Sequence, residues 1–208
     1  MTSRLYPTPS SSPAKMSTHN TTNGMNIDVL MQQLSVAQTV LSQAVDLLDN
    51  YLTSDEQLTV HSKFLPGSTI GKHLRHARDH FVLLAESMNT PPPYILCYDT
   101  RIRNTPMETS RSCARQALVD TVKQLGEVVP DSKLNAPITL QAITPHMHEF
   151  QTTFGRELWF ASLHCVHHWS MVRVIAGEMG IKLTDDFGFA PSTLVYQDRE
   201  APLGKAKI

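Results

Sequence analysis

From Ile27 the apolar residues Ile27, Leu30, Leu34, Ala37, Leu41, Ala44, Leu48 and Tyr51 recur in an unbroken alternation of three and four. That spacing puts them on one face of an α-helix and predicts a first, long bundle helix. Pro66-Gly67 breaks the pattern, and Ser68 is placed to cap a second helix whose stripe is Ile70, Leu74, Ala77, Phe81, Leu84 and Met88. Pro91-Pro92-Pro93 closes it, because proline lacks the amide that the next turn needs. Thr105-Pro106-Met107-Glu108 combines a cap residue, a proline at the first helical position and a glutamate at the third, so a third helix is expected from there to about Leu125-Gly126. Positions 128 to 152 are too many for a plain bundle loop, and the alternation Ile138-Thr139-Leu140-Gln141-Ala142 points to a small hairpin between helices three and four. A fourth helix carries Phe154, Leu158, Ala161, Cys165, His168, Val172, Ile175 and Met179, with Gly180 as its C-terminal cap.

The expected fold is therefore all-α, a four-helix bundle with long connections. Its 208 residues suit one domain with tails. Residues 1–24 contain ten Ser or Thr and three Pro, a composition unable to bury a core, and are expected to form a disordered tail. The bundle should span residues 25–183, and residues 184–208, without clear periodicity, should form an extended strap or tail. Hydrophobic residues make up 41% and charged residues 18%, enough for an ordinary core. A net charge of -1 lacks the basic excess that nucleic acid binding requires. The longest apolar runs, such as Phe81 to Ala85, are far below the roughly 20 residues that cross a bilayer, so no membrane partner is expected. Three unpaired, widely spaced cysteines indicate a reducing, cytoplasmic compartment. A Ser-rich, acid-poor start leaves a mitochondrial presequence as the alternative, opposed by the single Arg4 and Lys15 and the lack of an amphipathic run.

Histidine is where this sequence departs from an ordinary bundle. Of ten, eight fall in three clusters, His73/His76/His80, His146/His148 and His164/His167/His168. His164 and His168 are one helical turn apart, so their rings share a face, and His168 interrupts an otherwise apolar stripe. A buried imidazole needs a partner. His73, His76 and His80 border the core stripe of helix two, so two ligands from one helix and a third from another would make a metal site with an open position. The competing account is that these are core and surface histidines bonded to backbone or to carboxylates such as Asp79 and Glu157.

Thr69-Ile70-Gly71-Lys72-His73-Leu74-Arg75-His76-Ala77-Arg78-Asp79 and Leu163-His164-Cys165-Val166-His167-His168 resemble the helix-two histidine and helix-four H-x-x-x-H of the DinB/YfiT-like superfamily. Tyr98 to Pro106 and Asp186 to Thr193 resemble a closer subgroup of it. The resemblance implies a four-helix bundle holding a divalent metal on His76, His164 and His168, with His73 the rival to His76. Zinc is the first expectation for that metal, with nickel, iron or manganese as alternatives. Many relatives carry His-Arg-Gly-Gln at the last ligand, whereas here Trp169-Ser170-Met171 follows His168.

Around this triad, His73, His80 and Asp79 are expected as additional or supporting groups, Asp79 by gripping a ligand ring from behind. Glu157, two turns before His164, is the candidate catalytic carboxylate, lining the pocket wall. Arg101 and Arg103 are candidate substrate-binding cations for a carboxylate or phosphate. The activity expected is that of a metal-dependent transferase or hydrolase acting on a small-molecule substrate, a thiol being one option. The alternatives are a non-catalytic metal or small-ligand binding module, and a protein whose first helix pairs with a second copy to form a homodimer.

Overall fold

The computed structural model describes residues 19–100, 102–199 and 202–204, with side-chain surroundings from Asn26 onward. Four long helices, α1 (His19–Asp46), α2 (Ile70–Met88), α3 (Arg111–Asp131) and α4 (Phe154–Glu178), form the bundle, and a short α5 (Pro191–Tyr196) follows. α1 packs on α3 and α4, and α2 packs on the other sides of the same two helices. The periodic stripes become one continuous core, with Leu41 of α1, Phe81 of α2, Leu118 of α3 and Val172 of α4 all wholly buried. Ile27 is the exception: it lies more than half exposed at the outer end of α1. α1 itself starts at His19, inside the segment expected to be a tail; residues 1–18 lie outside the described residues.

The helix ends follow side-chain chemistry. Thr69, rather than Ser68, caps α2, its hydroxyl accepting from the Lys72 amide at 3.2 Å. Thr105-Pro106-Met107-Glu108 makes a capping box on a separate 3-10 turn (Pro106–Glu108), and Ser110 then caps α3 afresh. α3 continues past Gly126 and through Pro130 to Asp131. Gly180, at φ 76°, closes α4 in the left-handed conformation, and the Ile181 amide returns to the Ala176 carbonyl at 2.9 Å.

The expected hairpin is present as β2 (Pro137–Ile143) and β3 (Met147–Thr153), antiparallel, with Leu140 opposite Phe150. A strand not foreseen, β1 (Tyr94–Cys97), adds to it in parallel, giving the order β1-β2-β3 and the register Leu96 to Leu140. Beyond α4 the chain is not simply extended. Leu183, Phe187, Leu194 and Leu203 are buried in the same core, so the C-terminal segment packs as turns and a helix. Gly188 lets it approach α4: at φ 73°, a Cβ there would meet the Ser170 amide at 2.7 Å. The Ser170 hydroxyl donates to the Gly188 carbonyl, and Arg173 holds the Phe187 and Thr184 carbonyls. Trp169 donates to the Val40 carbonyl at 2.7 Å and stacks on Phe187. The Trp169-Ser170-Met171 segment after the last ligand candidate thus ties α4 to α1 and to the C-terminal segment.

No helix among the described residues is long and apolar enough to cross a membrane.

Candidate metal centre

α2 and α4 lie side by side, and their histidines meet between them. His164 and His168 are one turn apart on α4, so their rings lie on the same face, meeting edge to face with centroids 4.5 Å apart. His76 comes from the facing turn of α2. The Nε2 atom of His164 lies 3.2 Å from His76 Nε2 and 3.1 Å from His168 Nε2. The three residues offer ligand atoms all within 4.8 Å of one another. Three nitrogens bound at about 2.05 Å around a tetrahedral ion stand about 3.3 Å apart, close to the separations from His164 to His76 and to His168.

The electrostatics favour the same use. Burial pushes the His168 imidazole down to about 2, with His164, His76, His73 and His167 repelling a proton further. Burial likewise lowers His164 to about 3, reinforced by His80, His76 and His167. Both rings are therefore neutral near pH 7 and keep a lone pair available, the protonation state a metal requires. Their crowding is unfavourable for protons and favourable for one shared cation.

His73 is close but faces elsewhere. Its Nδ1 lies 2.8 Å from His168 Nδ1, the nitrogen on the side away from the triad. The rotation of α2 puts His76 among the converging Nε2 atoms and His73 behind His168.

His80 packs beside the triad, its ring centroid 4.0 Å from that of His164, while its Nδ1 donates to the His76 carbonyl at 3.0 Å. Asp79 pairs with arginines of its own helix. Its carboxylate is taken by Arg75 at 3.3 Å and Arg78 at 3.6 Å, and Arg75 also pairs with Glu108 of the 3-10 turn. Helical geometry explains this, since Arg75 lies one turn before Asp79 on its own face. Arg103 is exposed, and Arg101 lies outside the described residues. His146 and His148 lie exposed on the hairpin, away from the triad.

Glu157 is fully buried and accepts three hydrogen bonds, from Tyr98 at 3.0 Å, Thr152 at 2.7 Å and Arg156 at 2.8 Å. Its oxygens are committed to joining β3 and the segment after β1 to α4, one layer out from the histidines. Tyr98 is the residue that sequence reasoning did not single out: its ring stacks on His80 at 4.5 Å. Burial and the Glu157 carboxylate push its phenol far above the ordinary range, so it stays a donor. The only signal for it in the sequence was its place at the head of the segment from Tyr98 to Pro106. Phe160 completes this wall, stacked on His164 at 5.6 Å, with the Arg156 guanidinium over its ring at 5.1 Å.

The sequence profile of the DinB superfamily matches residues 33–172, which include every one of these histidines. The chain belongs to the DinB superfamily. A Rhizopus delemar protein named FK506-binding protein 5 is 33% identical to this DinB chain over 166 residues. That match covers 78% of the chain but 37% of the relative, so the chain spans well under half of the relative's length. No solved structure matches significantly. The DinB fold here has four main helices, the small three-stranded sheet before α4, and a three-histidine cluster suited to a metal ion.

Proposed function

We propose that this DinB protein is a metal-dependent enzyme of the transferase or hydrolase type, acting on a small molecule with a water or thiol as nucleophile. The observation that carries this is the donor set: three converging imidazole nitrogens and no carboxylate or thiolate among them. Three ligands leave a position open on the ion, as in catalytic rather than structural zinc sites. A divalent ion on three neutral imidazoles keeps its full charge and would supply acidification of a bound water or thiol.

The chain's own residues provide the rest. His76, His164 and His168 hold the ion, with zinc the first expectation. Tyr98, His80 and Phe160 form an aromatic wall beside His164 that excludes water from one side and offers flat surface to a substrate. The Arg156 guanidinium at the rim of that wall is placed to meet an anionic group. Cys97, Cys113 and Cys165 are all free thiols, which supports a reducing, cytoplasmic setting.

The test is turnover of a panel of thiol acceptors and small esters by metal-loaded protein, chelator-treated protein and His168→Ala. Activity present in the first and lost in the other two supports the proposal. Equal rates in all three would contradict it. Thermal stability that depends on metal, with no turnover of any substrate, would favour a binding module instead.

A further inference from the structure

The His73 side chain makes a single hydrogen-bond contact, and it is to another imidazole. Its Nδ1 faces His168 Nδ1 at 2.8 Å, a separation that requires one proton between them. Its Nε2 is buried and has no hydrogen-bond partner. The ring therefore has one polar contact to make, and that contact is to the rear of a proposed metal ligand.

Proton counting gives the direction of the bond. A neutral imidazole carries a single N–H, on one nitrogen or the other. For His168 to offer the Nε2 lone pair to a metal, its proton must sit on Nδ1, so the bond runs from His168 Nδ1–H to the His73 Nδ1 lone pair. We propose that His73 is a positioning residue, which accepts from His168 Nδ1–H and so holds His168 in the orientation and tautomer that can ligate through Nε2. This rests on the metal-site reading above and adds to it the residue that organises a ligand. Metal-bound histidines usually give this proton to a carboxylate or a backbone carbonyl. A neutral imidazole in that place leaves the site's positive charge undiminished, which suits the acidification of a nucleophile.

The helix supports the assignment. His73 lies in the first turn of α2, where its amide donates to the Thr69 carbonyl at 3.2 Å and Thr69 caps the helix. Its backbone is thus fixed one turn before His76, so the ligand and the positioning residue move as a unit on α2.

The experiment compares zinc binding by the parent, His73→Leu and His73→Asn, using competition with a chromophoric chelator and with folding checked by circular dichroism. Leucine removes the acceptor, while the asparagine carbonyl lies close to where Nδ1 was. His73→Leu should still bind about one zinc but roughly 10- to 100-fold more weakly, and His73→Asn should recover most of the loss. On the zinc-loaded parent, two-bond proton–nitrogen NMR correlations should place the proton of His168 on Nδ1 and that of His73 on Nε2. That readout stands even if a variant fails to fold. Equal affinity in the parent and His73→Leu, no recovery in a folded His73→Asn, or a proton on His73 Nδ1 would each overturn the inference while leaving the metal site intact. A parent that binds no zinc would overturn the metal reading itself, before any variant is compared.

Discussion

The placement of α2, and with it of His73 and His76, depends on a close approach that one methyl group would block. At Gly71 an added Cβ would stand 2.1 Å from the Glu108 carbonyl oxygen and 2.7 and 2.8 Å from the two backbone carbons beside it. The obstruction is backbone, so no side chain can swing aside; the 3-10 turn must retreat by about 1.4 Å to reach an ordinary contact distance of about 3.5 Å. Overpacking of this kind costs about 1–3 kcal/mol. The retreat also stretches the buried Arg75–Glu108 hydrogen bond, worth about 1.5–3 kcal/mol when one partner is charged. Replacing glycine by alanine inside a helix returns about 1 kcal/mol. The net expectation for Gly71→Ala is a loss of about 2–4 kcal/mol, which for a chain of this size lowers Tm by roughly 5–15 °C. Gly126→Ala in α3 is the internal control: its Cβ meets only the end of the Gln38 side chain at 3.6 Å, so the helix gain of up to about 1 kcal/mol should appear unopposed. Differential scanning calorimetry on both variants checks the pair. A Gly71→Ala protein as stable as Gly126→Ala would refute the close approach.

Acid should destabilise the metal-free protein. His73, His164 and His168 are held below the ordinary 6.5, at about 4, 3 and 2, so the folded state binds fewer protons than the unfolded chain. Stability is then full above pH 6.5 and falls as pH drops from there; urea midpoints that stay flat between pH 6.5 and 5 would argue against buried, neutral rings. Glu157→Ala, which strands the half-buried hydroxyls of Tyr98 and Thr152, should cost about 2 kcal/mol in chemical denaturation, whereas Glu157→Gln, which keeps an acceptor, should cost clearly less; equal losses would mean that the charge matters more than the bonds. Arg156 adds little to that figure because it is about half exposed. Trp169→Phe removes the donor to the Val40 carbonyl and leaves a small void, and a drop of about 2–3 kcal/mol in urea unfolding is expected, with no drop contradicting the α1–α4 tie.

What could be read from the chain without its structure was governed by local periodicity. The stripes of α1, α2 and α4 were visible because each runs for several turns and buries one face. His168 stood out because it sits in such a stripe. Features that depend on distant partners were not visible. β1 has four residues, no alternation of apolar and polar positions in its sequence and a partner strand some forty positions away. The capping box at Thr105 was a true local signal, but Pro106 to Glu108 packs against α2 as its own turn, and tertiary contact decided where α3 began. The buried Leu194 and Leu203 of the C-terminal segment are too isolated in sequence to form a pattern. The choice between His73 and His76 needed the rotation of α2 about its axis, which spacing alone leaves open for two residues both bordering the seam. Asp79 was assigned to a histidine because it follows one closely, when the arginine one turn before it was the nearer partner.

The central claim is that His76, His164 and His168 hold one divalent ion, and elemental analysis tests it most directly. The protein should be purified without chelator or a metal-affinity tag, beside His76→Ala and the double variant His164→Ala/His168→Ala. About one metal per chain in the parent, lost from both variants while their folds persist, is the predicted result. A parent that holds no metal after incubation with zinc, nickel and iron(II) would contradict the account.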